Sequence, residues 1–386
     1  MSNKPNLLGL FFSLILVSLL SLPALQYFFH LFPEKTLYGY VEKSADKPEK
    51  MLKGWFDKSL QRYWEGLFDN QIGFKALAVR TFNEISFRLF SEEPRINLYA
   101  TRKHGLYSKM SIDHLNEEYL NRERLTKSYA ELSQKIAELQ NLLELNHKHF
   151  AVVIGSSKPY IHPDSLGKKF LIHPNKDLFS QLASFGRSLK QEGVNTIDSG
   201  PVLRQFYKNS LIETHPYSGV HWNYYAGCVI AQYLFNNTKK TLNNIPELHC
   251  GNPIYKKPQM VDVDGLLLLN VLSEVNLAKE SPYPTPSATF FNFTPKILII
   301  GDSFMDQLIY SLDESKSYSN LVLSSYFQTR IPHQPGQSLS AEPLSQTTEQ
   351  IQNAILEDAL KSDLIVLEMV DYNIPRLGYG FVEALL

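Results

Sequence analysis

The stretch KILIIGDSFMDQ, Lys296 to Gln307, sets the reading of the whole chain: four aliphatic residues run into Gly301, Asp302 and Ser303, and an amphipathic segment follows. Leu298, Ile299 and Ile300 form a short continuous apolar run closed by a glycine, the signature of a parallel strand buried on both faces. Met305, Leu308, Ile309 and Leu312 then recur at helical spacing, so the chain passes from strand to helix within a few residues. A serine at that corner stands at the carboxyl end of the sheet, where open α/β folds hold their ligands. The first N–H groups of the helix lack intrahelical partners and point the same way, ready to stabilise an oxyanion. Ser303 is therefore the candidate nucleophile; the other reading is an ordinary turn in which Ser303 caps the helix.

Outward from this corner, Phe150–Ile154, Val194–Asp198, Leu321–Ser324 and Leu364–Glu368 are further short apolar runs. Helical stretches and long connections separate them, which predicts an α/β fold with a parallel sheet flanked by helices on both faces. Tyr119–Asn146 carries Leu125, Tyr129, Leu132, Ile136, Leu139 and Leu143 in one stripe among charges and reads as a long helix. Leu178–Leu189 reads as another. Between Phe235 and Phe293 the pattern is weak, apart from the apolar run Leu266–Leu272.

Trp55–Phe90 is an aromatic-rich helical lead-in, and residues 6–32 contain no Lys, Arg, Asp or Glu. That span exceeds the roughly 20 apolar residues that cross a bilayer. A cleaved leader would have a shorter apolar region and an A-x-A type site, which Leu22, Pro23 and Ala24 do not supply. The expected organisation is a short cytoplasmic tail and transmembrane anchor over 1–33, a helical lead-in over 34–149 and the α/β domain over 150–386.

With 38 basic against 39 acidic residues the chain has no electrostatic footprint for nucleic acid. No metal site or cofactor is read from it. His249 and Cys250 are adjacent without a second pair at ligand spacing, and no phosphate loop is present. Cys228 lies among apolar neighbours in a predicted helix and reads as a buried free thiol; a Cys228–Cys250 disulfide is the alternative.

A hydroxyl nucleophile needs a base. His221 stands in a turn, Ser218, Gly219, Val220, His221, Trp222, just before the predicted helix Ala226–Phe235. The strand-GDSF-helix corner together with this His-Trp turn resembles the alginate O-acetyltransferase family of AlgJ and AlgX type, whose fold is SGNH-hydrolase-like. The resemblance extends to the N-terminal anchor, the helical lead-in, the long helix and the closing strand, although only the two motifs are specific. In that family the histidine precedes the serine, as it does here. One position departs: the family's Asp-x-His-Trp has Gly219 in place of the aspartate, and Ser218 stands where common SGNH enzymes carry theirs.

The resemblance implies a catalytic pair of Ser303 and His221, with Gly301, Asp302, Ser218 and Asn373 as oxyanion or orienting groups. Glu213, Asp198 and Asp371 are the candidates for a carboxylate supplied from elsewhere. Tyr217, Trp222, Tyr224 and Tyr225 would form a sugar platform. The implied activity is O-acetylation of an exopolysaccharide or other envelope glycan through an acetyl-serine, with a multi-spanning membrane acyltransferase as acetyl donor. The protein would be a single-pass inner-membrane protein with its body in the periplasm. A glycan acetyl esterase, or an inactive glycan-binding scaffold lacking its acid, are the alternatives.

Overall fold

A computed structural model describes residues 7–33, 35–39, 47–48, 50–90, 98–101, 103–166, 170–171, 179, 182–239, 242, 245–272, 279–289, 293–336 and 347–386. Residues 1–6 of the predicted tail and anchor and the predicted helix start at Leu178 lie outside them. The chain divides into two compact units, Met1–Ile96 with Leu266–Val275, and Asn97–Gly265 with Asn276–Leu386.

The first unit begins with α1, Leu7–Phe29, an uncharged apolar helix long enough to cross a membrane. Three shorter helices follow, Met51–Phe56, Ser59–Gln71 and Lys75–Ile85. The last of them is tied to the segment from Leu266 by polar side chains. Buried Asn83 donates to the carbonyl of Leu269 at 2.8 Å, and Arg80 donates to those of Val271 and Thr36. Asn270 exchanges two hydrogen bonds with the backbone of Tyr38.

The second unit is built on a six-stranded sheet. Its strands are β1 (His149–Gly155), β2 (Thr196–Asp198), β3 (Lys296–Gly301), β4 (Asn320–Ser325), β5 (Ile331–His333) and β6 (Leu364–Val370), in the order β5-β4-β3-β6-β1-β2. Every pairing is parallel except that of β4 with β5. The period of two along each strand sorts its residues between the faces. Phe150, Val152, Ile154, Leu298, Ile300, Ile365 and Leu367 pack to one side, against α2 (Arg122–Leu145) and α3 (Phe185–Gln191). Ala151, Val153, Ile297, Ile299, Leu364 and Val366 pack to the other.

That second face is covered by α4 (Ser199–Ser210) and α5 (Tyr224–Thr238), and further along the chain α6 (Asp264–Leu269) marks the apolar run. The helix α7 (Met305–Ser315) lies against α5 on that same face, while α8 (Thr348–Lys361) contributes Ile355 and Ala359 to the first. The approach of α5 to α7 requires Gly227, since a Cβ there would stand 2.5 Å from the Cβ of Gln307.

Three expectations are revised. The predicted helix Tyr119–Asn146 is two, because Asn121 leaves the helical range at φ −107° and ψ 26° between Lys109–Leu120 and α2. The predicted helix to Leu189 begins only at Phe185, capped by Ser184. Cys228 and Cys250 are joined as a disulfide rather than free.

Candidate active site

The corner after β3 forms as its sequence suggests. Asp302 turns the chain: its Oδ1 accepts from Phe304 N–H at 3.1 Å and its carbonyl from Met305 N–H. Its Oδ2 accepts from the amide N–H of Val370, from Asn373 Nδ2 and from Tyr379 Oη, so the carboxylate lies behind the corner and fastens it to the end of β6. Gly301 is needed because a Cβ would meet the Glu368 carboxyl at 2.7 Å. Phe304, not Ser303, occupies the cap position of α7 and makes no side-chain cap bond. The Ser303 hydroxyl is thus available for other chemistry.

It faces His221. The Nε2 of His221 lies 2.6 Å from Ser303 Oγ, and its Nδ1 is hydrogen-bonded to Asp264 Oδ2. The tautomer that satisfies both contacts has Nδ1–H donating to the carboxylate and Nε2 accepting from the hydroxyl. All three side chains are only partly exposed. Burial opposes charging of the imidazole, but the Asp264 carboxylate outweighs it, with Asp302 and Asp306 adding to the effect, and the His221 pKa stands above its ordinary value. Such an arrangement can take a proton from Ser303 and stabilise the imidazolium that results.

Asp264 is the residue that sequence reasoning missed. It opens α6, and its Oδ1 accepts from Val220 N–H at 2.9 Å and Gly265 N–H at 2.6 Å. Gly219 explains its place: a Cβ at 219 would come within 2.5 Å of the Val261 carbonyl and 2.9 Å of Asp264 Oδ1. The space a side chain at 219 would claim is taken by the segment that brings the acid from elsewhere.

The turn holding His221 is fixed from beneath. Fully buried Lys158 directs its ammonium to the carbonyls of Leu106, Pro216 and Gly219 at 2.7, 2.6 and 2.9 Å, one for each of its protons. Ser218 donates to the carbonyl of Asp262, so it serves the loop and not the imidazole. Asn223 caps α5 through Ala226 N–H.

Several predicted site residues lie elsewhere. Trp222 is fully buried and its Nε1 donates to the Phe304 carbonyl and to Gln307 Oε1, which removes it from any sugar platform. Tyr225 is also in the core, donating to the Gly251 carbonyl. Tyr224 is half-buried, stacked on Tyr283 and edge-on to Tyr310, and Tyr217 contacts Lys279 through its ring face. The Asn373 Nδ2 donates to Asp302 Oδ2 and helps fasten the corner to the end of β6. Of the three carboxylates considered as orienting acids, Asp198 caps α4, Asp371 accepts from the amide and hydroxyl of Ser157, and Glu213 lies beside His162. Tyr326, which no sequence motif marked, interacts with the Ser303 hydroxyl and amide. Burial first, and then the Asp302 carboxylate, raise the Tyr326 pKa.

No protein-family model matches the chain, and no curated protein sequence matches it. Among solved structures it is similar to the O-acetyltransferase domain of Pseudomonas putida AlgJ, at 16% identity over 75% of this chain and 100% of that one, with a TM-score of 0.45. It is similar to Pseudomonas aeruginosa AlgX at 10% identity, covering 75% of this chain and 67% of that one, with a TM-score of 0.40. A third similar structure, Bacillus cereus PatB1, shares 12% identity over 64% of this chain and 91% of that one, with a TM-score of 0.37.

Proposed function

We propose that this protein is a membrane-anchored O-acetyltransferase that modifies an exopolysaccharide or cell-envelope glycan through an acetyl-serine. The observation that carries the reading is the Ser303, His221 and Asp264 relay, with 2.6 Å from hydroxyl to imidazole and the carboxylate on the opposite ring nitrogen. Its glycan acceptor rests on the GDSF corner and His-Trp turn and their resemblance to alginate O-acetyltransferases. The absence of an acid at Gly219 favours an inactive scaffold; the Asp264 carboxylate beside His221 Nδ1 supports the catalytic reading instead.

In the proposed reaction His221 Nε2 accepts the Ser303 proton as Oγ attacks the acetyl carbonyl. The Ser303 N–H and the Tyr326 phenol would stabilise the developing oxyanion. Collapse expels the donor's leaving group, which takes the proton back from His221. A sugar hydroxyl then gives its proton to His221, attacks the acetyl-serine and restores the Ser303 hydroxyl. The donor would be supplied by a multi-spanning membrane acyltransferase, and the apolar helix α1 would hold the body in the periplasm.

Incubation of the full chain with an activated acetyl ester, followed by peptide mass analysis, tests this directly. One acetyl group on the peptide containing Ser303, discharged faster by an oligosaccharide than by water, is the expected result. Discharge by water alone would instead make the protein an esterase, and an unlabelled Ser303 would reject the nucleophile.

A further inference from the structure

We propose that the three short helices after α1, Met51–Phe56, Ser59–Gln71 and Lys75–Ile85, lie on a phospholipid bilayer and sink their outward apolar side chains into its surface. This placement takes α1 as a helix that crosses the membrane, as the proposed function does, and is independent of the chemistry at Ser303.

The helix Lys75–Ile85 carries its polarity the wrong way round for a helix on a water-facing body. At about 100° per residue, Leu77, Ala78, Phe82 and Ile85 fall within an arc of about 140°. All four are exposed, Phe82 by 63%. Arg80 and Asn83 stand on the opposite side, where they donate to the carbonyls of Thr36, Leu269 and Val271. The polar face is thus turned inward and satisfied, and the apolar face is turned out, the reverse of an ordinary surface helix.

The helix Met51–Phe56 repeats the pattern. Met51 with Trp55 and Leu52 with Phe56 form two i,i+4 pairs, all exposed, Phe56 by 83%, while Gly54 is buried against Pro48. Trp64, on the helix between, is 54% exposed. A lone exposed apolar residue is ordinary, but eight large ones between Met51 and Ile85, two of them tryptophans, mark a surface built to be covered.

Contact with α1 says what covers it. A Cβ at Gly73, in the corner before Lys75–Ile85, would stand 2.3 Å from the Pro23 carbonyl and 2.6 Å from the Gln26 Cβ, and the Phe74 ring meets that of Phe32 at 6.1 Å. The corner is therefore seated on the last turns of α1. Gln26 is buried there, and its side-chain amide exchanges two hydrogen bonds with the backbone of Phe32, closing the helix end. Pro23 precedes the end of α1 at Phe29 by about 9 Å along the axis. With α1 filling a hydrocarbon core of about 30 Å, the corner is held at the boundary between acyl chains and headgroups, the level tryptophan prefers. Lys50, Lys53, Lys58 and Arg62 outnumber Asp57 and Glu65 on the same stretch, a charge balance that suits phosphate headgroups.

The test reconstitutes the full chain in vesicles of mixed zwitterionic and anionic phospholipid, with and without bromine on the acyl chains, and reads tryptophan emission. The chain has three tryptophans, none in α1, and Trp222 is sealed in the core, so a change in emission reports Trp55 and Trp64. Emission roughly 1.5-fold lower in brominated vesicles, with little quenching by iodide in the water, is the expected result, and the Trp55→Tyr, Trp64→Tyr double variant should lose the bromine effect. A nitroxide on Phe82→Cys should collide more with oxygen than with a water-soluble nickel complex. Quenching by iodide and not by bromine would overturn the placement, and protection from both quenchers would assign the surface to a second copy or another protein instead. Failure of the chain to float with the vesicles would remove the crossing helix and this placement with it. Loss of acetyl transfer with the bromine effect intact would count against the proposed function alone.

Discussion

At Gly219, in the turn before His221 and Trp222, the physical logic is steric. The Val261–Asp264 segment fills the room beside the turn, so Gly219→Ala should clash with a backbone carbonyl, lower stability by about 1–3 kcal/mol as overpacking does, and displace the His221 carboxylate partner. Thermal unfolding beside an acetyl-transfer assay checks both effects. Asp264→Asn should leave the fold intact and lower kcat by about 10³–10⁴, the scale seen when a triad carboxylate is neutralised in serine proteases. The pH profile separates this from a structural loss. The base works when neutral, so activity rises with pH through the His221 pKa, and the wild-type midpoint lies above 6.5. Without the carboxylate, burial remains as the dominant influence and the midpoint should fall. The same raised pKa means that the stability His221 contributes is fully present below its unfolded value and is lost as pH climbs through the folded one. Ser303 and His221 were legible because each sits in a compact motif. Asp264 was not: it lies 43 residues from His221, at the head of a short helix in a stretch without clear periodicity.

Among the elements, the strands were the most readable, because a strand covered on both faces is almost continuously apolar, and β1, β3 and β6 are so apart from His149 and Lys296 at their starts and the buried Glu368. The helix ends were less so. Asn121 breaks a stripe that hydrophobic spacing carries straight across, since periodicity records which face is buried and says little about one residue's φ and ψ. Nor does sequence show that a lysine three residues past the end of β1 is wholly buried beneath the His221 turn. Lys158→Met keeps the volume and removes the donor from three backbone carbonyls, and should cost at least about 2 kcal/mol at roughly 1 kcal/mol per lost bond. Chemical denaturation measures that cost, and a fall in kcat at unchanged fold would show the turn has shifted. Burial presses the Lys158 pKa down to about 7 from an ordinary 10.5, so the folded form binds fewer protons in that window and wild-type stability gains from this residue as pH rises. The variant should lack that gain.

At the level of the entire chain, an uncharged N-terminal helix and a disulfide bear together on where the body resides. The helix is long enough to span a membrane and was plain from residues 6–32. The disulfide was not, because Cys228 sits inside α5 among core residues, where a free thiol is the commoner state, and only the folded chain brings Cys250 beside it. The bond closes a separation of 22 residues and by loop entropy stabilises the body by about 3 kcal/mol. Replacing both cysteines by alanine should therefore lower the denaturation midpoint without altering the Ser303 to His221 geometry, since neither thiol touches the site. In intact cells, a body held on the periplasmic side should resist thiol alkylation until a reductant is added, because disulfides persist there and are rare in the cytosol. Alkylation of both cysteines in unreduced cells would place the body on the cytoplasmic side, away from any envelope glycan, and the proposed acceptor would fall with it.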